Sequence, residues 1–392
     1  MTDDPSAEIL AAVRKIISGD TKAALHEPEF RGREWDYVKS CLDEGWVSTA
    51  GEFVGRFERD LAKVSGRAHA VACVNGTAAL HASLILVGVE PGDEVLVPAL
   101  TFIATANAVH HCNAVPHFVD CEESTLGLCP VALARHLAEI ATVRDGHCVN
   151  KGTGRRIRAM IPVHIFGHPA RMPEICAVAE RYGIRVIEDA TEALGSFADG
   201  KPVGQHGIFG VMSFNGNKVV TTGGGGAITM DDDALAERAR HLTTTAKLPH
   251  RWAFVHDEIG YNYRLPNINA ALGCAQLERL ADFVARKRRL AKAYECAFRE
   301  VAGVRVFRER PGTTSNYWLN AIVLDPGHDQ WRDGVLACLN DAGLQARPAW
   351  TPMHLLPFQA GCPRADLAVT ESIFARLINL PSSPKLADHL AR

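Results

Sequence analysis

From Ala70 onward the sequence alternates short apolar runs with helical stretches, and no other feature narrows the fold as far. Ala70–Val74 has the length and composition of a buried strand, Asn75-Gly76-Thr77 interrupts it, and Ala78–Val87 carries a helical pattern. Glu94–Val97, Val115–Val119, Met160–Val163 and Arg185–Glu188 repeat the strand pattern, with helices expected over Ile103–His111 and Pro173–Tyr182. Strands buried on both faces appear as continuous apolar runs, and strand-helix repeats give an α/β fold with a mainly parallel sheet sandwiched by helices. Ligands of such sheets bind at the carboxyl ends of the strands. The residues just after each apolar run are therefore the first place to look for chemistry.

The flanks follow other patterns. Ile9–Ile17 and Phe53–Val64 have helical spacing, and between them Glu44–Thr49 has loop composition with Trp46 as a packing anchor. Residues 143–158 are rich in Gly, Lys and Arg and are expected to form a solvated connection. Their Gly152-Thr153-Gly154 lacks the Lys-Ser/Thr pair of a phosphate loop. One long helix is expected from Asn267 past Tyr294, with Arg286–Arg289 as a solvated basic face. Strands at Val304–Phe307 and Tyr317–Leu324 and a helix over Gln330–Ala342 complete a smaller α+β unit. The expected division is 1–266, a large domain with an N-terminal helical segment, and 267–392, a linking helix with a small C-terminal domain.

Forty-two basic against forty-five acidic residues leave a net charge of −3, which argues against nucleic acid or an anionic membrane as partner. Met1–Asp20 lacks a cationic leader with an apolar core, and no later run has the length to span a bilayer, so a cytoplasmic protein is expected. The abrupt end after Lys385–Arg392 leaves room for a longer native tail. The eleven cysteines form no CxxC pair, and Cys112, Cys121 and Cys129 with His110, His111 and His117 fit no zinc spacing. No metal is expected.

Three strand ends carry chemistry. At Val74-Asn75-Gly76-Thr77-Ala78-Ala79 a glycine-containing turn feeds a helix, whose unpaired N–H groups and dipole suit a phosphate; an ordinary N-cap is the competing role. At Val186–Glu192 two carboxylates follow an apolar strand, with Glu192 nearly one helical turn past Asp189. Buried there, a carboxylate needs a cation or donors. The third stretch, Ser213–Thr222, places Lys218 just ahead of Gly223-Gly224-Gly225-Gly226. An enclosed lysine loses solvation, and its neutral amine can form a Schiff base with a carbonyl. A phosphate cradle, a carboxylate and such a lysine are together what pyridoxal phosphate requires.

Over nearly its whole length the chain resembles fold-type I pyridoxal-phosphate enzymes of the DegT/DnrJ/StrS sugar aminotransferase family. The resemblance is carried by Asn75–Leu80, Pro98–Thr105, Glu188–Gly195, Ser213–Gly226 and Gly260-Tyr261-Asn262-Tyr263-Arg264. It implies a seven-stranded-type sheet and a pyridoxal/pyridoxamine phosphate cofactor bound covalently by Lys218, which also moves the proton at the substrate carbon. Asp189 would pair with the pyridine nitrogen, Gly76, Thr77, Ala78 and Ser213 would hold the phosphate, and Phe102 would stack on the ring. Glu192 falls beside the ring hydroxyl, where relatives commonly carry His or Gln, and Asn262 matches a residue that reaches the neighbouring subunit's phosphate, implying a homodimer with shared sites.

Many relatives have a glutamate where this chain has Gly224. With Thr243–His250 and His256–Arg264, the all-glycine stretch is similar to the branch that aminates C4 of nucleotide-linked 4-keto-6-deoxy-N-acetylhexosamines in legionaminic-acid-type pathways. The resemblance then implies L-glutamate as amino donor, with Lys247, Arg264, Arg347 and Trp350 as contacts to the nucleotide sugar; surface charge is the competing role. A related 3-dehydratase carries histidine in place of the lysine, and Lys218 opposes that activity. Intact Lys218 and Asp189 equally oppose a catalytically silent regulatory protein, and a nicotinamide dehydrogenase lacks support because no GxGxxG follows the first strand.

Overall fold

The computed structural model describes residues 4–19 and 21–390; the expectations that rest on Met1–Asp3, Asp20 and the final Ala391-Arg392 lie outside them. Seven strands form the central sheet: β1 (His69–Cys73), β2 (Glu94–Pro98), β3 (Val115–Val119), β4 (Ile157–Met160), β5 (Arg185–Asp189), β6 (Phe209–Ser213) and β7 (Gly226–Met230). Their spatial order is β1-β7-β6-β5-β4-β2-β3. Neighbours from β3 to β6 are parallel, and β7 runs antiparallel to both β6 and β1. The period of two in a strand splits β1 between two cores: Ala70 and Ala72 face one, Val71 and Cys73 the other.

Among the described residues three helices precede the sheet: α1 (Ser6–Arg14), α2 (Glu34–Asp43) and α3 (Glu52–Ser65). In α3, Phe53, Val54, Phe57, Leu61 and Ala62 make the buried stripe, and Gly66 ends it at φ 64°. Helices α4 (Gly76–Leu86), α5 (Ile103–His111), α6 (Pro130–Ile140), α7 (Met172–Tyr182) and α8 (Asp233–Thr243) accompany the strands. Beyond them α9 (Asn267–Leu277) and α10 (Leu280–Ala297) lead to α11 (Arg332–Asp341), α12 (Ala368–Arg376) and a small antiparallel sheet. Helix α1 buries Ile9 and Val13 beside Leu290, Tyr294 and Val335, so the first helix packs with the C-terminal unit. No helix among the described residues is long and apolar enough to cross a membrane.

Several expectations are corrected. The fourth strand lies at Ile157–Met160, ahead of the expected span, because Pro162 has no N–H for a ladder; its carbonyl instead accepts from Asp189 N at 2.9 Å. Residues 143–158 are not simply a connection: Ala141–Arg144 pairs with His147–Asn150 as a hairpin. The long helix is two, broken at Glu278-Arg279 with no glycine or proline to mark it. Nor are Arg286 and Lys287 solvated. Arg286 grips both oxygens of Glu29 at 2.7 Å, and the fully buried Lys287 amine donates to the carbonyls of Trp318 (3.1 Å) and Ser382 (2.5 Å). Trp46 is 54% exposed, not a buried packing anchor. Its carbonyl receives Asn267 Nδ2 at 2.7 Å, while Asn267 Oδ1 caps the start of α3 through Phe53 N at 3.0 Å.

Candidate active site

The carboxyl ends of β1, β5 and β6 converge on one cleft of about 370 Å³. Its first wall is the β1–α4 turn. Asn75 is the N-cap, extended at φ −167°, and its Oδ1 accepts from Ala78 N at 2.8 Å. Ala78 N–H is bonded to this cap, and the helix geometry leaves Gly76 and Thr77 N–H without an intrahelical acceptor. Side chains on Gly76 would crowd the site, since a Cβ there would sit 3.1 Å from Ser213 Cβ and 3.2 Å from Thr191 Cγ2. Gly226 explains part of the glycine run: a Cβ on it would lie 2.4 Å from the Asn75 carbonyl, so only glycine lets β7 press against the turn.

Asp189 ends β5 and is buried. Thr105 Oγ1 donates to its Oδ2 at 3.0 Å, and Thr191 donates to Oδ1 from Oγ1 (2.7 Å) and N (3.2 Å). A carboxylate has about four lone-pair sites, so one stays open toward the cleft. Glu188 points to the opposite face, where His164 Nε2 (3.1 Å), Gly204 N (3.0 Å) and Gly207 N (2.7 Å) satisfy it. Burial alone would raise its pKa, yet the His164 contact and these donors hold it below the ordinary carboxylate value.

Lys218 follows the turn after β6, its N–H bonded to Asn215 O at 2.9 Å. Its Nζ lies 3.4 Å from Glu192 Oε1 and 3.7 Å from the centre of the Trp318 ring, a cation–π contact. Trp318 is itself fixed by Nε1–H to Asn217 O at 2.6 Å. Glu192 is 4% exposed, with Oε2 accepting Phe166 N at 2.8 Å. Burial pushes its carboxyl up to about 7, against the pull of Lys218 and of the Phe166 N–H. Phe102, half-exposed, and Trp350 close the cleft, their rings 6.2 Å apart.

This donor set fits pyridoxal phosphate. Two hydroxyls, Thr77 and Ser213, and a helix N-terminus suit a dianion; a cradle that a Gly76 Cβ would narrow leaves room for it. A buried carboxylate with one open lone pair suits a protonated ring nitrogen, and Lys218 supplies the amine.

The sequence profile of the DegT/DnrJ/EryC1/StrS aminotransferase family matches residues 28–392. The chain is 38% identical over 369 residues to a GDP-perosamine synthase of Caulobacter vibrioides, covering 94% of this chain and 95% of that protein. A Bacillus subtilis relative, EpsN, whose name describes a pyridoxal phosphate-dependent aminotransferase, is 38% identical over 371 residues, or 94% and 92% of the two chains. Among solved structures, DesI in the presence of its TDP-sugar product superposes with a TM-score of 0.81 at 29% identity, covering 93% and 88%. The chain belongs to the DegT/DnrJ/EryC1/StrS aminotransferase family. It is an aminotransferase dependent on pyridoxal phosphate.

For this family member the structure brings Gly76, Thr77, Phe102, Asp189, Glu192, Ser213, Lys218 and Trp350 to one cleft. Lys247, Asn262 and Arg264 do not line it: Lys247 is on the segment that carries exposed Trp252, Phe254 and Ile259, with Nζ 4.1 Å from the Phe254 ring centre, Asn262 bridges to Thr244, and Arg264 pairs with Cys73 at the carboxyl end of β1. Arg347 is not brought to the cleft either. Its guanidinium turns to Asn340 Oδ1 (3.0 Å) and Ala346 O (2.9 Å) on a separate surface depression. Asn75, Thr105, Thr191, Phe166 and Trp318 were missed. Asn75 before Gly76 and Thr191 two residues past Asp189 carry capping and local-bonding signals. Trp318, from a distant segment, carries none.

Proposed function

We propose that the chain transfers an amino group from L-glutamate to C4 of a nucleotide-linked 4-keto-6-deoxy-N-acetylhexosamine, as a cytoplasmic homodimer serving legionaminic-acid-type or related surface-glycan synthesis. One observation carries the reading: Lys218, the Asp189 carboxylate, and the Thr77 and Ser213 hydroxyls line a single cleft walled by Phe102, Trp318 and Trp350. Bound pyridoxal phosphate would supply an electron sink for the carbon that loses its proton. Thr77, Gly76 and Ser213 anchor its phosphate, Asp189 keeps a negative charge at the ring nitrogen, and Lys218 Nζ holds and moves the proton. The aromatic walls suit the apolar faces of a pyranose ring and exclude water.

Exposed Trp252, Phe254 and Ile259 support the second copy, because large apolar side chains gathered on one segment mark an interface. Relatives named for GDP- and TDP-linked sugars support a nucleotide-sugar substrate without choosing the nucleotide. The test offers UDP- and GDP-linked 4-keto sugars with glutamate to the purified protein and reads the product by mass. Amination of one keto sugar at C4 supports the proposal; turnover of none, with cofactor bound and responsive to glutamate, rejects the sugar assignment while leaving the aminotransferase intact.

A further inference from the structure

Asp189 and Glu192 are both buried in the cleft, but they are not equivalent proton acceptors. Asp189 already accepts three hydrogen bonds from Thr105 and Thr191. Glu192 accepts one, from Phe166 N, and its other oxygen meets only the Lys218 amine at 3.4 Å. Its pKa of about 7, raised by burial and by Asp189 against the pull of Lys218, places its proton exchange near neutrality. The remaining basic groups near Lys218 offer no alternative. Burial, with Lys287 and Lys218 nearby, holds His26 uncharged with its pKa well below the usual value, and its ring nitrogens have no solvent access. Lys287 donates to two carbonyls. Trp318 presents its ring to the Lys218 amine at 3.7 Å and cannot take a proton.

We propose that Glu192 is the proton partner of Lys218. The carboxylate removes one proton from the Lys218 ammonium, giving a carboxylic acid and a neutral amine, and returns it when the amine is again released. One N–H bond breaks and one O–H bond forms, the electron pair stays on nitrogen, and no further reactant is needed. Lysine must be neutral to attack an aldehyde, so this exchange sets how fast the chain takes up its cofactor near neutral pH. Glutamine at this position could bond the ring hydroxyl but could not accept the proton. The inference rests on Lys218 being the cofactor lysine.

The test uses full-length protein freed of cofactor by its amino donor. Pyridoxal phosphate is added back, and growth of the absorbance band of the lysine-bound form is timed from pH 6 to 9 in wild type, E192Q and E192D. Borohydride reduction and peptide mass mapping locate the bond in each. The expected result is that E192Q slows by about tenfold or more at pH 7 and recovers toward the wild-type rate by pH 9, where hydroxide can take the proton, while E192D stays near wild type. An E192Q rate equal to wild type, or slowed by the same factor at every pH, overturns the proton role. A bond mapped to another lysine overturns the Lys218 assignment itself.

Discussion

Two glutamates at opposite ends of the same sheet are buried almost equally and behave oppositely. Glu94 begins β2 at the amino end, where His117 Nδ1 (2.8 Å) and Asn150 Nδ2 (2.9 Å) donate to one oxygen and Thr153 Oγ1 (2.5 Å) to the other. Burial alone would raise its pKa, but these three donors bring it below the ordinary value. His117 Nε2 meets His136 Nε2 at 2.7 Å, and burial, with His117 beside it, drives His136 down to about 4. Glu192, past the carboxyl end of β5, has one backbone donor and one lysine, and its pKa rises. Burial is common to both. What differs is whether the fold completes the hydrogen bonding: it does at the end that only has to be stable, and leaves capacity open at the end that has to react.

Substitutions at the two ends should therefore be felt in different measurements. Lys218→Ala should lower turnover with glutamate by on the order of 10⁴-fold or more and abolish the lysine-bound absorbance band, while the melting temperature of the cofactor-free protein hardly moves. Asp189→Asn should cost on the order of 10²–10³-fold in kcat with the cofactor still retained. At the other end, Glu94→Ala orphans the buried donors of His117 and Asn150 and should cost about 3 kcal/mol of stability by denaturant unfolding, with kcat of the folded protein within about twofold of wild type. A kcat loss there without a loss of stability would break the division between the ends.

A smaller effect is set by pH. The folded-state pKa of Glu192, about 7, lies above its ordinary 4.5, so the folded state holds the extra proton in between and stability falls as pH rises from 4.5 to 7. The loss amounts to about 2–3 kcal/mol at most. Melting of the cofactor-free protein across that range should show the slope in wild type and a flatter one in E192Q; parallel curves would deny the raised pKa.

The sheet was legible from Ala70 onward because each strand is an apolar run bounded by turn residues, and Ile103–His111 and Val115–Val119 match residue for residue. Asp189, Glu192, Thr77 and Lys218 were legible because each sits where a strand pattern stops. What escaped depends on tertiary partners. Helix α2 leaves Trp35 and Leu42 exposed, which blurs an inward-facing stripe. The hairpin at residues 141–150 escaped because residues 143–158 are rich in Gly, Lys and Arg and because Asn150 and Thr153 serve Glu94, 56 and 59 residues upstream. Lys287 looked solvated because nothing local reveals the carbonyls of Trp318 and Ser382 that receive its amine.

We propose that the carboxyl-end cleft is built around Lys218 as the covalent holder of pyridoxal phosphate. Borohydride reduction of the purified holoenzyme, followed by proteolysis and peptide mass mapping, tests it directly. One reduced pyridoxyl modification per chain is expected, on the peptide that contains Lys218. A modification on Lys247, Lys287 or any other lysine, with Lys218 unmodified, would contradict it.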